Sequence, residues 1–129
     1  MRRLKKTPAR CARRVTEMLR CMEEGRFQGA LRALRRRRGG PVPPPHALWK
    51  LGRWCLARDR PRDALVPLRL FLDLYPNHLD RGAVLLDAAR ALRRRGLGRR
   101  AAELVREAAA LRAKRHAVPT TGPVPTGAG

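Results

Sequence analysis

Along most of this chain, apolar residues recur three and four positions apart, the spacing that lines one face of an α-helix. Val15, Met18, Leu19 and Met22 form a first stripe, and Gly25 interrupts it. Phe27, Ala30, Leu31 and Leu34 form a second, which runs into Arg35–Arg38 and stops at Gly39-Gly40. The prolines of 41–45 make a stiff connector or helix start. Leu48, Leu51, Gly52 and Cys55 give a third face, and Asp59-Arg60-Pro61 a break. Ala64, Leu65, Leu68, Phe71 and Leu72 give a fourth, closed by Tyr75-Pro76-Asn77. Pro67 falls inside it, where it must lose one backbone hydrogen bond. Leu85, Ala88, Ala89 and Leu92 form a fifth stripe, ended by Gly96-Leu97-Gly98, and Ala101, Leu104, Val105, Ala108 and Leu111 a sixth. Residues 1–10 read as a basic arm without an apolar face. Residues 116–129, rich in Pro, Gly and Thr and without periodicity, read as a disordered tail. The pattern predicts an all-α fold over 11–115.

Six short helices invite a search for a period. A break followed by x-x-Ala opens the second helix of each pair at Ala30, Ala64 and Ala101, intervals of 34 and 37 residues. The longer interval predicts a three-residue insertion near Asn77–Asp80. Within 45–78, Leu48, Leu51-Gly52, Cys55, Ala64, Leu68 and Pro76 stand in register with the large, Leu-Gly, aromatic, Ala, large and Pro positions of a tetratricopeptide repeat. Two positions depart: Cys55 replaces the aromatic, and Leu48 the usual Trp, with Trp49 one place off. Leu85, Ala88-Ala89, Leu92, Ala101, Val105 and Ala108 follow the same pattern. The first unit fits if its turn is one residue shorter. Over 11–112 the chain thus resembles three degenerate tetratricopeptide repeats. The resemblance implies a short right-handed solenoid of three helix hairpins, in which small residues let paired helices approach and stacking buries each open face.

Charge changes the picture. There are 31 basic and 10 acidic residues, a net charge of +21. Only Lys5, Lys6, Lys50 and Lys114 among the basic residues are lysine. Arginine presents a planar fork of donors suited to carboxylate and phosphate. A self-repelling chain of this kind seeks anions. The runs Arg35–Arg38, Arg93–Arg95 and Arg112–Arg115 also fall near predicted helix C-termini, where cations meet the negative end of the dipole.

The resemblance implies that the first helices of the pairs line a concave groove. With the shorter first turn, Arg20, Arg53 and Arg90 share one position of that groove, Glu24, Ala57 and Arg94 a neighbouring one, and Thr16, Trp49 and Leu86 the one a turn earlier. The expected binding set is Arg20, Trp49, Lys50, Arg53, Arg90 and Arg94. The expected partner is an acidic protein or peptide segment, with Trp49 as anchor. RNA or DNA, held by its phosphate backbone, is the alternative.

The remaining chemistry argues against an enzyme. Serine is absent, and His46, His78 and His116 lie far apart without metal-ligand spacing. Gly39-Gly40 and Gly96-Leu97-Gly98 follow helices as terminators rather than opening one as a phosphate loop does. No catalytic residue, metal or cofactor is expected. Cys11, Cys21 and Cys55 are odd in number and form no C-x-x-C pair, which suits reduced thiols in an intracellular, cytoplasmic protein. The basic, acid-free first fourteen residues also suit an organelle presequence, and the charge a nuclear protein. No apolar stretch approaches the length of a membrane span.

Overall fold

In the computed structural model, the backbone is described over residues 8–121 and the side chains over residues 13–115. Among the described residues there are six α-helices and no strand: α1 (Pro8–Glu23), α2 (Phe27–Arg35), α3 (Pro45–Ala57), α4 (Pro61–Leu74), α5 (Arg81–Arg94) and α6 (Gly98–Thr121). Pro61 opens α4 and Pro45 opens α3, where a missing N–H costs nothing and the fixed φ already suits the helix. Among the described residues no helix is long and apolar enough to cross a membrane.

Helices pack in sequence order. α1 lies on α2, α3 on α4 and α5 on α6, and α4 also packs on α5. In addition α3 touches both α1 and α5, and α2 touches α4. The core is one continuous cluster: Met18, Leu48, Leu51, Leu68, Phe71 and Val84 are fully buried, with Ala30, Ala64, Ala91 and Ala101 between them. Alanine at those places brings backbones together. Gly52 does so most strongly, because a Cβ there would stand 2.5 Å from Leu68 Cδ2 and 2.6 Å from Leu68 Cγ.

The three hairpin turns are built alike. In the first, Gly25 N donates to Met22 O and Arg26 N to Cys21 O. In the second, Asp59 N donates to Leu56 O and Arg60 N to Cys55 O. In the third, Gly96 N donates to Arg93 O and Leu97 N to Leu92 O. Each is the paired closure that ends a helix on a residue in left-handed conformation. That residue is Gly25 (φ 76°), Asp59 (φ 57°) and Gly96 (φ 80°). The positions repeat at the same intervals as Ala30, Ala64 and Ala101.

This corrects the expected register of the first hairpin. Its turn is not one residue shorter, so Cys21, Cys55 and Leu92 are equivalent. Stepping back along the helices, Leu19 matches Arg53 and Arg90, Val15 matches Trp49 and Leu86, and Arg20 matches Trp54 and Ala91. The insertion expected near Asn77–Asp80 is not a longer loop either. α4 has 14 residues against 9 in α2, and the connection 75–80 is shorter than 36–44.

Two boundaries also move. Pro8–Arg10, read as part of a basic arm, open α1, and α6 continues to Thr121, into the segment read as tail. Residues 1–7 and 122–129 lie outside the described residues. Arg112, Lys114 and Arg115 are therefore not at a helix C-terminus; α6 has no basic residue in its last turn, and the dipole argument does not apply to them. It does apply to Arg32 and Arg35 of α2 and to Arg93 and Arg94 of α5. The 41–45 connector is anchored by the Tyr75 hydroxyl, which donates to Pro43 O.

Candidate site on the α1–α3–α5 face

The sequence-predicted set converges in part. At its centre is a residue not in that set, Asp87, a carboxylate on α5 that is only 7% exposed. Burying an ionised carboxylate is costly unless donors surround it. Trp49 Nε1 on α3 donates to its Oδ2 at 2.7 Å, and Arg90 Nη1, one turn along α5, donates to its Oδ1 at 2.9 Å. Arg53 Nε stands 4.0 Å from Oδ2. The Arg53 guanidinium also lies over the Trp49 ring, 5.5 Å from its centroid. Asp87 thus joins α3 to α5 and orients Trp49 and Arg90, with Arg53 beside them over the Trp49 ring. Both arginines remain open to solvent, with side chains 66% and 58% exposed.

The other predicted residues are placed differently. Arg94 reaches across to α3: its Nη1 donates to Leu56 O at 2.8 Å and pairs with Asp59 Oδ1 at 3.6 Å. It closes the end of α3 and is largely spent on structure. Lys50 is exposed on α3. Arg20 is exposed on α1, but the corrected register puts Leu19, which packs against the core, where a third ladder arginine was expected. The ladder is therefore two arginines long, Arg53 and Arg90. The corrected register makes the adjacent strip more apolar than expected, since Val15 replaces Thr16 beside Trp49 and Leu86.

Leu86 is 37% exposed and opens onto a groove of ≈ 570 Å³ between α5 and α6, lined also by Leu79, Ala83, Val105 and Leu111. Leu79 is 73% exposed. One face of α5 thus passes from apolar (Ala83, Leu86) to basic (Arg90), because these residues recur three and four apart, and Leu79 in the preceding turn extends its apolar end. Arg112 and Arg115 line the far side of the groove, and Arg115 Nη2 donates to Leu79 O at 2.6 Å.

The remaining sequence candidates have local roles. Trp54 stacks on Phe27 with ring centroids 5.3 Å apart and carries Arg58 and Arg60 over its face. His78 Nδ1 accepts from Asp80 N at 3.0 Å, and its ring stands edge-on to Phe71 at 5.1 Å. Cys21 and Cys55 are free and buried. Burial is the main cause that pushes the Cys55 thiol up to about 11, so it stays protonated and unreactive at neutral pH. The Cys11 side chain and His116 lie outside the described side chains. Among the described residues no three of His, Cys, Asp and Glu gather as a metal site would require.

Sequence reasoning missed Asp87. A signal was present, since an acid within the run Leu85–Ala89 with Arg90 three residues on is unusual for a buried stripe. Its second donor, Trp49, is 38 residues away and leaves no local trace. No family model matches the chain, and comparison with curated proteins and with solved structures finds no match.

Proposed function

We propose that this chain is a non-catalytic, tetratricopeptide-like interaction module that binds an acidic protein segment carrying an apolar anchor, on the face made by α1, α3 and α5. The three alike hairpin turns and their intervals support the repeat reading, with the hairpins stacked as a short right-handed solenoid and this face as its concave side. The observation that carries the binding reading is the Asp87 cluster. A hydrogen bond to the carboxylate holds Arg90, and the Trp49 ring with the carboxylate 4.0 Å away flanks Arg53, while both guanidinia stay exposed. An arginine held in place by an aromatic ring and a carboxylate loses less entropy when it grips a second carboxylate. The strip Val15, Trp49 and Leu86, continuing into the α5–α6 groove, supplies the apolar seat that an extended or helical peptide needs beside its charges. The reduced, buried thiols suit a cytoplasmic setting.

Fluorescence anisotropy of a labelled peptide of Asp, Glu and Leu tests this. Saturable binding should persist at about 0.3 M salt through the apolar anchor, and Arg53→Glu with Arg90→Glu should weaken it at least tenfold. A scrambled-charge basic peptide that binds as well, or a double variant that binds as tightly as the parent, would refute it.

A further inference from the structure

The cations on the opposite helices are arranged for a different ligand. Most acids of the chain already have partners: Glu17, Glu24, Asp59, Asp63, Asp87 and Glu107 each pair with an arginine. The surplus of positive charge is therefore real at the surface and not hidden in ion pairs. Part of it collects on α2 and α4, which touch side by side. A shallow groove of ≈ 520 Å³ between them is lined by Arg37, Arg62, Arg69 and Arg95, with Asp73 as its only carboxylate. Among the described residues Arg62, Arg69, Arg95 and Asp73 have no ion-pair partner, and Arg37 spends only its Nε, on Pro41 O at 3.0 Å. A second hollow continues the surface along α2 through Arg32 and Arg36. The Arg35–Asp63 pair, at 2.7 Å, lies where the two meet.

We propose that this α2–α4 surface binds the phosphate backbone of a nucleic-acid duplex, independently of sequence. Three features favour a duplex over a second acidic protein segment. The lining holds no aromatic residue to anchor a peptide or to stack an unpaired base. Its apolar residues offer little, because Leu34 and Leu65 are buried and only Val66 and Leu70 are half-exposed. The arginines surround the groove: Arg62 and Arg69 stand on α4, Arg37 just beyond the end of α2, and Arg95 just beyond the end of α5. Arg62 and Arg69 are two helical turns apart on α4, about 10 Å along its axis, so they meet different phosphates of a strand rather than one carboxylate.

The test compares two double variants that change net charge equally. Binding of a mixed-sequence 20-base-pair DNA duplex is measured across a salt series for the parent, for Arg62→Glu with Arg69→Glu, and for Arg53→Glu with Arg90→Glu, after circular dichroism and melting show all three folded. The first variant should lose at least tenfold in affinity, and its log–log salt slope should flatten by about 2. The second should stay within about threefold of the parent. Equal losses in both variants would show a diffuse charge effect and overturn the proposal, as would an Arg62/Arg69 variant that binds like the parent. So would a polyglutamate peptide of matched charge that displaces the duplex at equal concentration. Because the peptide reading rests on Arg53 and Arg90, either proposal can fail while the other stands.

Discussion

Trp49 Nε1 and Asp87 Oδ2 meet at 2.7 Å across 38 residues of sequence, and this bond ties the second hairpin to the third. It buries a carboxylate with an indole donor on one oxygen and the Arg90 guanidinium on the other. Asp87→Ala would leave the indole N–H without its acceptor in a half-buried position and should cost about 1–3 kcal/mol. Asp87→Asn, which keeps an acceptor for Trp49, should cost less. Arg90→Ala should cost least, under about 1 kcal/mol, because that guanidinium is more than half exposed. Urea unfolding of the three variants checks the order; equal losses would mean that the Trp49 bond has no special weight.

The contact of Gly52 with Leu68 sets the separation of α3 and α4. Gly52→Ala forces a methyl group onto Leu68 Cδ2 and Cγ and should destabilise by about 1–3 kcal/mol, despite alanine's better helix propensity. In a Leu68→Ala background the same change should cost far less, so a double-mutant cycle should return a coupling of about 0.5–3 kcal/mol. Additive losses would show that the close approach is relaxed in solution.

Cys55 supplies a pH dependence of known sign. Burial raises its thiol from 9.0 to about 11. Below pH 9 the thiol is protonated whether the chain is folded or unfolded, and its contribution to stability is fully present. Between about pH 9 and pH 11 the unfolded chain releases a proton that the folded chain retains, so stability falls as pH rises. Stability measured at pH 8, 9 and 10 should decline more steeply in the parent than in Cys55→Ala. Parallel curves would contradict this origin.

Much of the fold is legible in the sequence. Apolar residues three and four apart mark the helices because each helix must bury one stripe. Gly25 and Gly96 mark turns because their φ values suit glycine. The second turn is harder to see, since Asp59 takes the left-handed position there. The register of the first hairpin is hidden because α1 lacks the Leu-Gly pair. Glu17 and Met18 stand where α3 has Leu51 and Gly52, and only the turn hydrogen bonds reveal the match. The end of α6 is not legible, because the helix continues past the arginine cluster into a segment rich in Pro, Gly and Thr without apolar periodicity. The site was half legible. Arg53, Arg90 and Trp49 follow from repeat positions, whereas Asp87 acquires its meaning from a donor on another helix.

The most direct measurement of the central claim uses Trp49 as its own reporter. In a Trp54→Phe variant, Trp49 is the sole tryptophan, and its emission can be followed as a leucine-containing acidic peptide is added at about 0.15 M salt. The account predicts a saturable change in Trp49 emission that vanishes when Arg53 and Arg90 are both reversed to glutamate. Emission that stays constant while the labelled peptide is bound would place the partner elsewhere and contradict it.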